Sequence, residues 1–467
     1  MEKSCDCGNR GVMKVLIKPV KIEYVPSIEA ISSKSYVHRM LIAMALSGCD
    51  GCLKVNMLSE DMKATVRALN DMGFDVEVND NIIYVNQNGK RNESQTGCDD
   101  IDSVDGKKDE TVRIYCNESG STARFLLPVA AALFESAQVS GSEGLSKRPF
   151  KDLCVCLNEN GTKTDSFTLP VTTCGKLKAG EFRIPGDVSS QYISGLMFAL
   201  PLLGADSRIM LTTELKSESY IEITREVLRK FGINILKDGN TFVVKGSEHY
   251  SRPSDSTVEG DWSNAAFSLC MVALNEGVML TNLNPVSVQG DRKIADILAS
   301  MGADISFTGN NLKLRSGRLT GIRTDLSDIP DMAPALAMIS MFAEGDSYLT
   351  NAERLRIKES DRVAAIEMLL KAFGCEYSLS DENNLTIRIG NIVKLTKENA
   401  ESDDIYSGGD FVHIDSMNDH RIVMAACIGA VGSGKKTVIA NAEAVNKSYP
   451  GFFDDMKDFF DYEIIED

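Results

Sequence analysis

The sequence predicts an α/β (α+β) fold of six similar units, three in each of two domains, with helices buried at the centre of each domain. Two repeated features lead to this prediction: a glycine that follows an apolar helix end, and a second series of strongly apolar helices in step with it. Length is the third observation. A chain of 467 residues exceeds what one hydrophobic core usually organises, so two domains are expected.

Each unit is predicted to contain an outer helix that ends at a glycine and leads into two short strand-like segments. The segments "LRKFGINILKDGNTFVV" and "LASMGADISFTGNNLKL" show this pattern. An apolar stripe on one face, as in "SDRVAAIEMLLKAF", predicts packing on the outside of a core. The glycines are expected to adopt the left-handed conformation that ends a helix, and they are Gly73, Gly161, Gly232, Gly302 and Gly374.

A second series consists of helices that are apolar on nearly every face, such as "SQYISGLMFAL" and "MAPALAMISMFA". Such helices are expected to be buried. The polar inserts at residues 86–110 and "KENAESDDIYSGGD" are predicted to be solvated loops, and without them the unit is about 70 residues long. The predicted helix starts are Lys34, Ser121, Ser190, Ser263, Met332 and Asp419.

The domain boundary is predicted near "SRPSDSTVEG", where proline and serine cluster between the third and fourth units. The first domain is expected to span residues 33–258. The second is expected to be discontinuous, with residues 13–32 and 259–467, because the opening strand "KVLIKPV" precedes the first unit. Residues 1–12 read as a flexible N-terminal tail.

Composition excludes several classes of function. A net charge of −17 argues against nucleic-acid binding, and the lack of eighteen consecutive apolar residues argues against a membrane span. Twelve cysteines without a secretory signal indicate reduced thiols in the cytoplasm. With four histidines and no zinc-type spacing, no metal site is expected. Separately, the protein is expected to be a monomer.

Basic and hydroxyl residues recur at the starts of the buried helices, in "KSYVHR", "ESGSTAR", "SSQ" and "NDHR". A helix start favours anions because its N–H groups are unpaired. Each segment alone is compatible with ordinary capping, but four of six buried helices share the feature. In "RLRIKESDR", if Ser360 caps the following helix, Arg362 falls in its first turn, which is unfavourable unless an anion lies nearby, either a ligand or a capping carboxylate such as Asp361. The chain is therefore predicted to bind small anions.

Together these segments resemble the 5-enolpyruvylshikimate-3-phosphate synthase (3-phosphoshikimate 1-carboxyvinyltransferase) family from about residue 14 to residue 455. "KRPF", "SESYIEIT", "VEGD", "IPDMAP", "KESDR" and "NKSYP" also occur in the family's order. The resemblance implies a two-domain inverse α/β barrel of βαβαββ units that closes over its substrates. It implies transfer of the enolpyruvyl group of phosphoenolpyruvate to the 5-hydroxyl of shikimate 3-phosphate, in the shikimate pathway to aromatic amino acids, without a cofactor.

Matching positions imply the residues that bind the substrates. Shikimate 3-phosphate is expected to contact Lys34, Ser35, Arg39, Ser189, Ser190, Gln191, Ser217, Asp331 and Lys358. Phosphoenolpyruvate is expected to contact Lys34, Gly120, Arg148, Gln191, Arg362, Arg421 and Lys447. Arg354 stands where many relatives have asparagine, which leaves its contact with substrate open.

Three residues are predicted to be catalytic. Asp331 matches the family's proton acceptor, and Glu359 matches the proposed acid for the methylene carbon, with Lys34 as its rival or partner. Cations near Glu359 would depress its pKa, which opposes its staying protonated. Gly120 matches the glycine that contacts glyphosate, which leans towards sensitivity to this inhibitor.

Two alternatives remain. The related enolpyruvyl transferase that acts on a UDP-linked amino sugar carries a cysteine on a mobile loop, whereas the corresponding segment here, "GSEGLSKRPF", has none. A non-catalytic anion-binding relative is the other alternative. The intact Lys34, Asp331 and Glu359 argue against it, and only an assay excludes it.

Overall fold

The computed structural model describes residues 13–465 except 23, 25, 88–110, 254–255, 276, 382–383 and 393–410. The N-terminal tail, most of both predicted polar inserts and part of the predicted domain boundary lie outside the described residues. In the described part, helices alternate with short strands that form six small sheets. The predicted α/β fold class is confirmed.

The first part of the described chain contains thirteen strands and seven α-helices. The strands are β1 (Lys14–Pro19), β2 (Ser27–Glu29), β3 (Gly51–Lys54), β4 (Asp75–Asn79), β5 (Ile82–Asn86), β6 (Val112–Tyr115), β7 (Ser136–Ser140), β8 (Lys163–Thr164), β9 (Val171–Cys174), β10 (Glu181–Ile184), β11 (Ser207–Leu211), β12 (Leu236–Asp238) and β13 (Thr241–Val244). The helices are α1 (Lys34–Leu46), α2 (Glu60–Asp71), α3 (Gly120–Leu133), α4 (Glu143–Ser146), α5 (Lys151–Glu159), α6 (Ser190–Ala199) and α7 (Glu218–Lys230).

The second part of the described chain contains ten strands and six α-helices. The strands are β14 (Val278–Thr281), β15 (Asp304–Thr308), β16 (Asn311–Arg315), β17 (Arg323–Asp325), β18 (Ser347–Thr350), β19 (Cys375–Ser380), β20 (Thr386–Ile392), β21 (Phe411–Asp415), β22 (Lys436–Ala440) and β23 (Phe460–Ile465). The helices are α8 (Trp262–Ala273), α9 (Lys293–Met301), α10 (Ala333–Ser340), α11 (Arg362–Ala372), α12 (His420–Ser433) and α13 (Phe452–Asp455).

Two separate hydrophobic cores divide these elements. One core is built from residues 36–250 and the other from residues 15–31 with 262–460. We call the elements around them the first lobe and the second lobe. The first lobe holds the sheets β3-β5-β4, β6-β7-β9-β8 and β10-β11-β13-β12, and the second holds β15-β16-β14-β2, β17-β18-β20-β19 and β21-β22-β1-β23.

The recurring unit is clearest around α3. The elements β6, α3, β7, α5, β8 and β9 occur in this order, with only the one-turn helix α4 inserted before α5; β6 is parallel to β7, and β9 is antiparallel to both β7 and β8. The same order recurs from β10 to β13 around α6, and from β17 to β20 around α10. This is the βαβαββ order that the family resemblance implied. Closure of the units into an inverse barrel stays a prediction.

The helices predicted to be buried form the interior of each lobe. They are α1, α3 and α6 in the first lobe and α8, α10 and α12 in the second, and nearly all their residues are buried. At the crossing of α3 and α6, a Cβ atom on Gly195 would lie 2.3 Å from the carbonyl oxygen of Arg124, so only glycine permits this approach. The five glycines predicted to end outer helices all have φ between +76° and +115°. That prediction is confirmed.

The chain passes between the lobes at two adjacent places. Strand β1 lies between β22 and β23, and β2 pairs with β14, so the N-terminal strands complete sheets of the second lobe. Where the chain leaves and re-enters that lobe, Ser32 bridges Gly260. The N–H of Ser33 donates to the carbonyl of Glu259 (2.9 Å), and the N–H of Asp261 donates to that of Ile31 (2.7 Å). The two crossings thus form a short antiparallel ribbon.

Candidate active site

One cavity brings together residues from both lobes. Of the predicted site residues, all except Lys447 line it: Lys34, Ser35, Arg39, Gly120, Arg148, Ser189, Ser190, Gln191, Ser217, Asp331, Lys358, Glu359, Arg362 and Arg421. Asp61, Arg124, Tyr220, Arg354 and His420 also contribute to its lining. The cavity therefore lies where the predicted site was expected.

Lys34 begins α1 on the first-lobe side of this cavity. Its backbone N–H donates to Asp261, and its Nζ lies 2.9 Å from Oδ2 of Asp61. Burial opposes a charge on Lys34, but Asp61 and Glu359 outweigh it and raise the lysine pKa. Lys34 is therefore an ammonium group at neutral pH.

Arg39 lies one turn further along α1 and is fixed by the protein. Its Nε donates to Thr224 Oγ1 (2.7 Å), and its other nitrogens donate to the carbonyls of Ser35 (2.8 Å) and Tyr220 (3.0 Å). Its guanidinium lies 4.8 Å from the ring centre of Phe125. Burial lowers the pKa of Arg39 to about 10, so this residue remains charged at neutral pH.

Two arginines approach the N-terminus of α3 closely because Gly120 has no side chain. A Cβ atom there would lie 2.9 Å from Nη1 of Arg148 and 3.3 Å from Nη1 of Arg124. Arg124 in turn donates to Oε1 of Gln191 (2.7 Å), and Gln191 donates to Ser121 Oγ (2.8 Å). Two guanidinium groups and a helix start therefore converge on one point, which is suited to an anion.

Ser217 connects the lobes at the edge of the cavity. It adopts a left-handed conformation (φ 56°, ψ 44°), which is uncommon for a residue with a side chain. Its Oγ accepts a hydrogen bond from Arg354 (2.9 Å) and lies 3.4 Å from the carbonyl oxygen of Ser327. The sequence left the role of Arg354 open. In the structure, the guanidinium of Arg354 in the second lobe donates to Ser217 in the first lobe.

Asp331 is surrounded by cations. It lies in a 3₁₀ turn, Pro330–Met332, directly before α10. Its carboxylate is 2.7 Å from Arg362, 3.2 Å from Arg421 and 3.6 Å from Lys358, and it accepts a hydrogen bond from the Tyr220 hydroxyl (2.6 Å). Burial alone would raise the pKa of Asp331, but Arg421, Lys358 and Arg362 hold it well below its usual range.

Glu359 and Lys358 have opposite environments although they are adjacent. Oε2 of Glu359 lies 3.0 Å from Nδ1 of His420. Burial would raise the pKa of Glu359, but His420, Arg148 and Arg362 hold it well below its usual range, in the direction expected from the sequence. Burial lowers the pKa of Lys358 to about 8, with Asp331 opposing that effect.

The start of α11 departs from the sequence-based prediction. Its cap is Asp361, whose carboxylate accepts from the N–H groups of Val363 and Ala364, so the prediction of Ser360 as the cap is wrong. Ser360 instead donates to Asp419 (3.1 Å). Because Ser360 is engaged by Asp419, Oδ1 of Asp361 accepts from both helix N–H groups.

Arg362 is the first residue of α11, and protein carboxylates neutralise it. Its Nε lies 2.8 Å from Oδ2 of Asp419, and its Nη1 lies 2.7 Å from Oδ1 of Asp331. The side chains of Arg362 and Asp419 are 2% and 0% exposed. The anion expected near Arg362 is thus provided by the protein itself, as the carboxylates of Asp419 and Asp331.

Lys447 is the predicted ligand that does not line the cavity. Its Nζ donates to Oε2 of Glu118 in the first lobe (2.9 Å) and to the carbonyl of Asn418 (2.6 Å). The other oxygen of the Glu118 carboxylate, Oε1, accepts a hydrogen bond from Ser142 Oγ (2.7 Å). Lys447 therefore contributes an ion pair between the lobes.

Among the described residues, one group has the donor types of a metal site. Ligand atoms of Glu359, Asp419 and His420 lie within 4.8 Å of one another. Asp419 is already bound by Arg362, and Glu359 by His420. These contacts form a network of ion pairs and hydrogen bonds beside the cavity.

Sequence reasoning missed several residues of the site. Asp419 had a signal, because it directly precedes the buried helix α12 and caps it. Asp61 and Tyr220 lie on the amphipathic helices α2 and α7, whose polar positions are ordinarily solvent-facing, so nothing in their local sequence marks them. Asp61 reaches the site by pairing with Lys34 in the same lobe, whereas Tyr220 reaches it by binding Asp331 of the other lobe.

The fold and cavity define a two-lobed α/β protein with a cation-rich site for small, multiply charged anions. The EPSP synthase (3-phosphoshikimate 1-carboxyvinyltransferase) family model matches residues 23–456. The chain belongs to this family. The predicted family and transferase class are confirmed, and the protein acts on small-molecule substrates.

Several known proteins are similar over nearly their whole length. The 3-phosphoshikimate 1-carboxyvinyltransferase of Clostridium kluyveri is 38% identical, covering 95% of this chain and 96% of its own, and that of Clostridium novyi is 35% identical, covering 94% and 96%. The EPSP synthase structure from Acinetobacter baumannii has a TM-score of 0.74 at 24% identity, covering 97% of this chain and 100% of its own. The enolpyruvyl transferase NikO from Streptomyces tendae has a TM-score of 0.69 at 14% identity, covering 98% and 100%. Within the described residues, none of the helices has the length and apolar character to cross a membrane.

Proposed function

We propose that the chain transfers the enolpyruvyl group of phosphoenolpyruvate to the 5-hydroxyl of shikimate 3-phosphate and releases phosphate. One observation carries the proposal. Both lobes place cations in a single cavity around two ionised carboxylates, Asp331 and Glu359. A cavity lined by positive charge in an acidic protein concentrates polyanionic substrates at one place.

The lining supports separate positions for the two substrates. Shikimate 3-phosphate would lie along the first lobe, with its phosphate and ring near Ser35, Arg39, Ser189, Ser190, Gln191 and Ser217. Phosphoenolpyruvate would lie at the start of α3 beside Gly120 and Arg148, facing Arg362 and Arg421 of the second lobe. Planar guanidinium groups suit this position because each can bind two oxygens of a carboxylate or phosphate.

Asp331 would accept the proton of the 5-hydroxyl while this oxygen bonds to the central carbon of phosphoenolpyruvate. The methylene carbon would take a proton from the Lys34 ammonium group, or from Glu359 once substrate binding has protonated this carboxylate, and return it when the bond to phosphate breaks. The hydroxyl proton would leave with the phosphate. Substrate anions would engage Arg421, Lys358 and Arg362, which weakens their hold on Asp331 and raises its proton affinity.

The test is a coupled phosphate-release assay with both substrates. Asp331→Ala is expected to cut turnover at least about a hundredfold while ligand binding stays measurable, as for a lost general base. UDP-N-acetylglucosamine in place of shikimate 3-phosphate is the control for the related transferase. Phosphate release only with that acceptor, or with neither, would contradict the proposal.

Several expectations accompany this function. The two cores support domains with limits 33–258 and 13–32 with 259–467. The contacts that Lys447 and Arg354 make with the first lobe support ligand-dependent closure of the lobes. A cytoplasmic location, a monomeric state and sensitivity to glyphosate stay predictions.

A further inference from the structure

Asp291 is a buried carboxylate that the mechanism above does not use. It lies in the 3₁₀ turn Gly290–Arg292 and is 3% exposed. Its Oδ2 accepts a hydrogen bond from Ser263 Oγ, whereas its Oδ1 is buried and has no hydrogen-bond partner. Arg421, the cation that acts on Asp291, forms its ion pair with Asp331 instead (3.2 Å). Burying a carboxylate with an unsatisfied oxygen lowers the free energy of unfolding, so Asp291 is not explained by a contribution to stability.

The turn that carries Asp291 packs beside the turn that carries Asp331, the proposed base, because both contact helix α8. On its other side it meets the start of α7, because a Cβ atom on Gly290 would lie 2.4 Å from Ser219 Oγ. The next residue of α7 is Tyr220, whose hydroxyl donates to Asp331. Asp291 therefore lies where the two lobes meet, outside the cavity lining and close to Asp331.

The groups facing Asp291 come from each element around it. They are Tyr220 of α7, Asp261 and Ser263 at the start of α8, Asp331, and Arg421 of α12, with Arg292 and Lys293 adjacent in the chain. Burial and then Asp331 raise the pKa of Asp291 to about 6, and Arg421 opposes them. The repulsion between two carboxylates is mutual, so an ionised Asp291 raises the proton affinity of Asp331.

We propose that Asp291 is a positioning residue whose buried negative charge makes Asp331 a stronger base. The inference rests on the proposed role of Asp331. Three cations adjoin Asp331 and weaken it as a proton acceptor, and the charge of Asp291 offsets part of their effect. No bond forms to Asp291 and no proton passes through it. Its contribution is present when it is ionised and is lost as the pH falls through its pKa.

Asp291→Asn tests the proposal because it removes the charge and keeps a side-chain oxygen for Ser263. We expect kcat at pH 8 to fall by up to about tenfold, the most that the loss of one pKa unit in a base can produce, with both KM values within about twofold of wild type. We expect the wild type to lose activity as the pH falls through about 6, and this loss should be absent from the variant.

Ser263→Ala is the matched control. It retains the charge of Asp291 and removes a hydrogen bond that lowers the pKa of this carboxyl. We expect kcat at pH 8 within about twofold of wild type, because Asp291 is still ionised there, with the acidic limb moved to higher pH.

A stability measurement separates this role from a structural one. In urea at pH 8, the unfolding midpoint of Asp291→Asn should rise, because an uncompensated buried charge is gone; a residue needed only for folding would lower it. The inference is overturned if this variant keeps wild-type kcat, keeps the acidic limb, or unfolds at lower urea.

Asp331→Asn distinguishes the two failures. If it keeps wild-type turnover, the proposed base is wrong and the inference falls with it. If it is inactive while Asp291→Asn behaves as wild type, only the inference fails.

Discussion

Replacing Asp419 by alanine and by asparagine separates the two roles of this buried carboxylate. Its Oδ1 caps α12 by accepting from the N–H of Arg421 (2.9 Å), and its Oδ2 binds Arg362 Nε (2.8 Å). Alanine removes both contacts. Asparagine is as good a cap as aspartate, so it keeps the cap and loses the charge and the acceptor oxygen that bind Arg362.

The magnitudes follow from these contacts. Loss of a cap costs about 1–2 kcal/mol of unfolding free energy. Breaking a buried ion pair costs about 3–5 kcal/mol, and the lower value applies here because Arg362 keeps Asp331 as a second partner. We therefore expect a loss of about 3 kcal/mol for Asp419→Asn and about 4–5 kcal/mol for Asp419→Ala. Either is a large part of the roughly 5–15 kcal/mol of a typical domain.

The assay is urea unfolding followed by fluorescence of Trp262. This residue is the chain's single tryptophan, is fully buried and begins α8 of the second lobe, to which Asp419 also belongs. Circular dichroism on the same samples reports both lobes. A loss below about 1 kcal/mol in both variants would refute the buried-pair reasoning. Equal losses would show that the cap contributes nothing.

Arg421→Ala should raise the KM for phosphoenolpyruvate at least about tenfold because it removes a charge-assisted contact, and an unchanged KM in the phosphate-release assay would contradict this. The pKa of Lys358, lowered to about 8, means that its positive charge is present below pH 8 and is lost as pH rises through that value. We therefore expect kcat/KM for shikimate 3-phosphate to fall above pH 8 in the wild type and to stay level in Lys358→Arg; a matching alkaline decline in both would rule out Lys358 as the cause. Gly195→Ala should destabilise the first lobe by about 1–3 kcal/mol through overpacking against α3, and unchanged unfolding in urea would show that the helices separate freely.

The architecture could be predicted because it follows from local patterns. Apolar residues on all faces specify a central helix, and a glycine after an apolar stripe specifies the end of an outer helix. Gly302, for example, adopts φ 115°, where a side chain would be strained. Lys34 and Arg421 could be located for the same reason, since each lies at the start of a buried helix.

The remaining site residues depend on contacts between distant segments. Tyr220 meets Asp331 only because α7 of one lobe faces the turn before α10 of the other. Lys447 was expected to face substrate, but its pairing with Glu118 depends on the relative position of the two lobes. Asp361 and Ser360 are both good caps, and the tertiary contact of Ser360 with Asp419 decides between them.

The position of β1 has a consequence for the order of folding during synthesis. This strand is made near the beginning of the described chain, whereas its partners β22 and β23 are made near the end. The first lobe, whose strands and helices all lie between those segments, can fold as soon as its own residues have left the ribosome. The second lobe must keep β1 available until translation has almost finished, and such distant pairing is slow to form. We expect nascent chains stopped before residue 436 to contain a folded first lobe and an incomplete second one.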